Sequence, residues 1–217
     1  MPDKNIKNII FDFGGVIIDI DYQKSIDAFI RLGGSNFDQI YSQAKQNDIF
    51  DRLDTGRISP DTFRNELKNY LPTETTTKMI DEAWNAILIG IPEHRIRLLE
   101  NIRTNYRIFL MSNTNVIHYH EYIKELKNKF GYDNLGCLFE KVYLSFEIGM
   151  RKPDKRIFNL ILKENNLDAG ETLYIDDFEK NLPPVAQSGI HTLLLDNRLD
   201  VTDLFENGFL KDRVELF

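Results

Sequence analysis

Four short stretches of the chain carry side chains suited to one kind of chemistry. Asp12 ends an apolar run, residues 6–11, and is followed by Gly14 and Gly15. Ser112, Asn113 and Thr114 follow a second such run at 107–111. Lys152 stands in Arg151-Lys152-Pro153, and Asp176 and Asp177 close the run 172–175. Three carboxylates, a hydroxyl and an ammonium gathered in one place suit a divalent cation and a phosphate. Mg²⁺ takes a few hard oxygen ligands together with substrate phosphate and seldom a full protein cage. Asp12 and Asp176 or Asp177 can supply carboxylates, and the carbonyl after the first run another oxygen. Glycines at 14 and 15 let backbone and phosphate approach closely. Pro153 suits a first helical position, which would set the Lys152 ammonium beside a helix N-terminus, and both favour an anion. The Ser112 hydroxyl and the Asn113 backbone N–H can donate to phosphoryl oxygens. With the charge so neutralised, Asp12 can attack phosphorus, forming an aspartyl-phosphate that water hydrolyses.

These stretches lie far apart in sequence, so the fold has to bring them together. After Pro92 the pattern predicts helices at 93–103, 116–129, 154–164 and 179–187, alternating with strands at 107–111, 141–144, 172–175 and 192–195. Such alternation implies βαβ units and a parallel sheet covered on both faces. In an open sheet of this kind ligands bind beyond the carboxyl ends of the strands, where all four stretches would meet. Between Tyr22 and about Ile89 the pattern is helical. Ser59-Pro60 has helix-start chemistry after Gly56, Phe63 and Leu67 recur at i, i+4, and Met79, Ile80, Ala83, Trp84, Ile87 and Leu88 share a stripe. Residues 17–20 read as a short extended piece, and 22–89 as free of strands. The expected fold class is α/β: a doubly wound core of residues 1–18 and 91–217, interrupted after its first strand by a helical insertion, 19–90.

Composition sets bounds. A chain of 217 residues with 42% hydrophobic and 28% charged residues can bury a core without disulfide or metal staples. A single cysteine, Cys137, excludes an intramolecular disulfide and any multi-cysteine metal site. The net charge of −7 disfavours nucleic acid and anionic membrane surfaces as partners. The N-terminal apolar run is broken at Asp12, and no stretch approaches the ~20 apolar residues of a membrane span. A cytoplasmic protein is expected, and oligomeric state is not readable.

Taken together, the strand ending in Asp12 with its GGV turn, LMSNTN around Ser112, GMRKPDKRIF around Lys152 and LYIDDFEKN around Asp176-Asp177 resemble the haloacid dehalogenase-like superfamily of phosphohydrolases, in that family's order and over essentially the whole chain. The resemblance implies a Rossmann-like core, a small helical cap inserted after strand one, Mg²⁺ dependence and transfer through an aspartyl-phosphate. Position by position, it implies Asp12 as nucleophile and metal ligand and Gly14 as a carbonyl ligand. Ser112, Asn113 and Lys152 would hold phosphate, and Asp177 with Asp176 would complete the metal site. The DxGxV start is similar to bacterial sugar-phosphate phosphatases, so a small phosphorylated metabolite, a sugar phosphate first, is the expected substrate.

One position departs from the pattern. Phosphatases of this family usually carry a second Asp two residues after the nucleophile as general acid and base, where this chain has Gly14. A positioned proton donor is typically worth ~10²–10⁴-fold. Asp19 or Asp21, at the entry to the insertion, could reach back over the site; alternatively, the leaving group needs little protonation. Two other functions remain open: a haloacid-type dehalogenase, disfavoured by the repulsion of Asp176-Asp177 toward a carboxylate substrate, and a non-catalytic phospho-ligand-binding protein. Each side chain also has a plainer reading. Ser112 could cap the following helix, Asp176-Asp177 could form a turn, and Trp84 could be core of the insertion. Arg57, His94 and His191 have no partner pattern. His118 and His120 point to different helix faces, and Cys137 reads as inert.

Overall fold

A computed structural model describes residues 5–33, 48–196 and 198–211. Its centre is a parallel five-stranded sheet of β1 (Asn8–Phe11), β4 (Arg107–Ser112), β5 (Lys141–Leu144), β6 (Thr172–Asp176) and β7 (His191–Leu194), in the order β5-β4-β1-β6-β7. The strands are apolar on both faces because helices cover both. Ile9, Phe11, Ile108, Leu110, Leu173 and Ile175 pack on one side with α5 (Glu93–Ile102) and α6 (Val116–Phe130). Their alternates Ile10, Phe109, Met111 and Tyr174 pack on the other side with α8 (Lys155–Asn165) and α9 (Leu182–Ala186). This period of two is the strand repeat, and it yields the expected Rossmann-like, doubly wound α/β core.

β1 lies between β4 and β6, with Phe11 opposite both Leu110 and Ile175. The chain fills one side of β1 with β4 and β5, then returns to the other side for β6 and β7, so a crevice opens at the carboxyl end of β1.

Between β1 and β4 stand α1 (Tyr22–Arg31), α2 (Ile49–Asp54), α3 (Pro60–Lys68) and α4 (Thr77–Asn85). Three have side-chain N-caps, from Asp21, Ser59 and Thr76 respectively for α1, α3 and α4. Their apolar faces, led by Phe29, Leu53, Phe63, Leu67 and Ile80, form a separate cluster that also takes in Ile117 of α6.

The structure corrects four local expectations. The stretch 22–89 is not free of strands: β3 (Leu88–Gly90) pairs antiparallel with β2 (Asp19–Ile20), a ribbon too short to show a period. Ile87 and Leu88 therefore leave the helical stripe, since α4 ends at Asn85. Pro153 is not a first helical residue: the Lys152–Pro153 bond is cis and α8 begins at Lys155, capped by Asp154. Residues 179–187 do not form one helix, because a 3₁₀ turn (Glu179–Asn181) precedes the five-residue α9, whose second and third residues are prolines without N–H donors. A short hairpin, β8 (Phe205–Glu206) with β9 (Phe209–Leu210), follows the sheet. Among the described residues no helix is long and apolar enough to cross a membrane.

Candidate active site

At the carboxyl rim of the sheet, Asp12 continues β1 and its N–H donates to the Ile175 carbonyl at 2.9 Å, which sets it beside Asp176. Carboxylate oxygens of Asp12, Asp176 and Asp177 lie within 4.8 Å of one another. Lys152 enters from the loop after β5 and is 3% exposed. Its Nζ stands 2.7 Å from Asp12 Oδ1 and 2.9 Å from Asp176 Oδ2. The turn after Asp12 closes over the cluster. Gly15 has φ +74°, and a Cβ there would overlap the Asp177 carboxylate. The glycine is required both for its conformation and for the approach of Asp177.

Burial and like charge decide the ionisation. Burial pushes the Asp12 carboxyl up to about 7, and Lys152 offsets this only in part. Burial pulls the Lys152 ammonium down, but Asp12 and Asp176 outweigh that and hold it above the usual lysine value. Asp176 is raised by burial yet more strongly lowered by Lys152 and its hydrogen bonds, so it remains a carboxylate. Asp177, on the open side, is pushed up by partial burial and by Asp176. Three carboxylates against one ammonium leave two negative charges uncompensated when all are ionised. A cluster of hard oxygens with that deficit fits Mg²⁺.

Asp176 is the most heavily hydrogen-bonded member. Its Oδ2 accepts from Lys152 Nζ, from Asn181 Nδ2 at 2.9 Å and from the Tyr174 hydroxyl, while Oδ1 accepts from the Phe178 N–H at 2.7 Å. Tyr174 and Asn181 were not singled out by the sequence. The signal for Tyr174 lies in the strand period, which puts residues 174 and 176 on one face.

Ser112, 3% exposed, ends β4. It does not cap α6, a task taken by Asn115, whose Oδ1 accepts from the N–H groups of Ile117 and His118. Asn113 is a clamp: its side chain donates to the Lys152 carbonyl at 3.1 Å and accepts from the Lys152 N–H at 2.8 Å. It therefore ties the loop after β4 to the loop that delivers the lysine.

Asp19 and Asp21 do not join the three converging carboxylates. Asp19 pairs with Arg95 at 2.9 Å, and Asp21 accepts from the Gln23 N–H at 2.9 Å as the cap of α1. Each of these carboxylates thus has a structural partner in this structure. At Gly14 a Cβ would stand 3.2 Å from Ile20 Cδ1, so the flank of the missing aspartate is lined by an apolar side chain.

The helical block reaches the same rim. Asn115 Nδ2 donates to Asp54 Oδ1 at 3.1 Å, and Arg151 pairs with Asp51. His118 Nδ1 lies 2.9 Å from Asn85 Oδ1. The His118 ring stacks on Trp84, which stacks on Phe50, so Trp84 packs within the block and against α6. Burial holds His118 down near about 3, hence neutral. Asp54 carries no sequence signal, and although Asn115 and Arg151 lie within the stretches LMSNTN and GMRKPDKRIF, nothing local shows that they meet the helical block.

The profile of a family described as haloacid dehalogenase-like hydrolase matches residues 6–189. The chain is 34% identical over 200 residues, 90% of its length and 94% of the relative's, to a D-ribitol-5-phosphate phosphatase of Bacteroides thetaiotaomicron. A HAD family enzyme of the same organism, solved with magnesium and inorganic phosphate, superposes with a TM-score of 0.85 at 34% identity, covering 93% of this chain and 100% of that one. A HAD-like family hydrolase from Porphyromonas gingivalis gives 0.79 at 32% identity, over 89% and 92% of the two chains.

Proposed function

The chain belongs to the haloacid dehalogenase-like hydrolases, and we propose that within this family it is a Mg²⁺-dependent phosphatase of a small sugar or polyol phosphate. The convergence of Asp12, Asp176, Asp177 and Lys152 at one rim carries this reading. Asp12 is the nucleophile. Its Oδ1 is held by the Phe13 N–H at 2.6 Å and by Lys152, so Oδ2 is the oxygen offered to phosphorus. The Oδ2–P bond forms as the bond from phosphorus to the leaving oxygen breaks, that oxygen taking a proton from solvent water; a water then attacks phosphorus, loses its proton to solvent, and releases phosphate with the Asp12 carboxylate regenerated. Bound Mg²⁺ supplies the positive charge that keeps Asp12 ionised and offsets the phosphoryl oxygens. Ser112, Asn113 and Lys152 hold the phosphoryl group, with Lys152 moving from its two carboxylates toward the incoming anion. Asp176, Asp177, Asp12 and the Gly14 carbonyl are the metal ligands in this reading.

With glycine at position 14, the leaving oxygen finds no carboxyl there. A polyol or sugar phosphate brings its own hydroxyl groups beside that oxygen, unlike a simple alkyl phosphate. The relative named for D-ribitol 5-phosphate supports the same class. The helical block 19–90, docked on the loops after β4 and β5, acts as the cap that selects the leaving group.

The test is phosphate release from a panel of sugar and polyol phosphates with Mg²⁺. The wild type should turn over members of the panel, EDTA should stop it, and Asp12→Asn should lower kcat by at least ~10³-fold. A fully active Asp12→Asn enzyme would refute the mechanism, and background release across the panel would refute the substrate class.

A further inference from the structure

The hydrogen bonds around Asp176 assign a task to Tyr174, a residue of the LYIDDFEKN stretch to which the sequence reading attached no role. Tyr174 is fully buried, and its ring packs in a T-shaped pair with Phe158, centroids 4.8 Å apart. It touches two members of the site at once: its hydroxyl meets Asp176 Oδ2, and its ring lies 5.6 Å from Lys152 Nζ. A carboxylate oxygen has two lone pairs, yet Asp176 Oδ2 faces three donors, Tyr174, Asn181 and Lys152. That oxygen is saturated. Oδ1, which among the described residues accepts from the Phe178 N–H alone, keeps a lone pair for a cation.

Lys152 cannot stay. Its ammonium is shared between Asp176 and Asp12, and a phosphoryl group arriving at Asp12 draws it away from Asp176. When it leaves, a buried carboxylate that has lost one donor is costly unless others remain. The Tyr174 hydroxyl, a phenol set against a carboxylate, is a donor to it.

We propose that Tyr174 is a positioning residue that stays on Asp176 Oδ2 throughout the cycle, turning Oδ1 toward the metal and freeing Lys152 for the phosphate. The inference rests on the Mg²⁺-phosphatase reading above. Outer partners of metal ligands are worth ~10–100-fold in metal affinity.

Tyr174→Phe removes one oxygen and keeps the ring. Mg²⁺ binding measured by calorimetry on the metal-free protein should weaken by about tenfold or more. The Mg²⁺ concentration for half-maximal activity should rise by the same factor, with kcat largely restored at excess Mg²⁺. A merely structural tyrosine would instead lower the thermal midpoint equally with and without Mg²⁺ and leave the affinity unchanged, and that result overturns the inference. If Tyr174→Phe does not fold, 3-fluorotyrosine placed at 174 keeps the shape. Its ¹⁹F resonance should shift during Mg²⁺ titration, and a resonance that stays put overturns the inference equally. A wild type that binds no Mg²⁺ would sink the phosphatase reading itself. A wild type that binds while Tyr174→Phe binds as well would sink only the role of Tyr174.

Discussion

Asp54 shows how much one side chain's surroundings weigh. It is largely buried, and burial lifts its carboxyl to about 6 although Asn115 donates to it. Arg151 Nη2 is 3.9 Å away, too far to hydrogen-bond, and that guanidinium is engaged by Asp51. Below about pH 4 both folded and unfolded chains hold this proton; as pH rises to about 6 the unfolded chain releases it first, and the folded state loses stability through that window. Asp54→Asn keeps the oxygen that accepts from Asn115 and removes the charge. Thermal or urea denaturation of the metal-free variant should show it ~1–3 kcal/mol more stable than the wild type at pH 8, with the difference vanishing near pH 4. A variant less stable than the wild type at pH 8 would show that Arg151 compensates the charge fully. In sequence, Asp54 is an unremarked acid at a helix end, since burial by a distant loop leaves no local trace. The carboxylates at 12, 176 and 177 were legible because each follows an apolar strand run.

At the scale of elements, the turns matter as much as the strands. Gly15 and Gly149 both have positive φ, +74° and +68°, but a Cβ at 15 meets Asp177 while one at 149 meets nothing within 4 Å. Gly149→Ala should therefore show only the backbone penalty, ~1–2 kcal/mol, with Mg²⁺ affinity unchanged. Gly15→Ala should show that penalty and weaken Mg²⁺ binding as well, because Asp177 must move. Calorimetric titration of both variants checks this, and equal Mg²⁺ affinity in the two would show that Asp177 does not ligate the ion. The elements themselves were legible to different degrees. Helices α5, α6 and α8 and the core strands follow from their periods and caps. The β2–β3 ribbon does not, because strands of two and three residues, separated by the whole helical block, are defined only by pairing with each other. The 3₁₀ turn before α9 is set by paired prolines and was hidden under an otherwise helical pattern.

At the scale of the molecule, the helical block is joined to the core through the loops that carry the site: Asn115 and Thr114 follow Ser112, and Arg151 precedes Lys152. Thr114 and Ser145 exchange hydrogen bonds of 2.9 and 2.8 Å, tying the loop after β4 to the start of α7 (Ser145–Ile148). Occupancy of the rim should thus be felt throughout the fold. With Mg²⁺ and inorganic phosphate each supplied at about a hundred times its dissociation constant, ~2.7 kcal/mol of stabilisation per bound ligand is expected. For a chain of this length each ligand should raise the thermal midpoint by roughly 5–10 °C. Differential scanning fluorimetry with and without EDTA measures it. A midpoint indifferent to both ligands would mean that the rim binds neither.

The sequence alone determined the alternation of strand and helix, the apolar character of both sheet faces and the four places where polar residues leave the strands, because each is written in a local period or at the end of one. Which polar residues meet was decided only by the tertiary structure. Asp12 and Asp176 are neighbours because β1 pairs with β6, whereas Asp19 and Asp21, nearer to Asp12 along the chain, turn away to Arg95 and a helix end. The same closure of the sheet put a phenol and an amide on Asp176, since strand pairing and burial join segments that no local pattern connects.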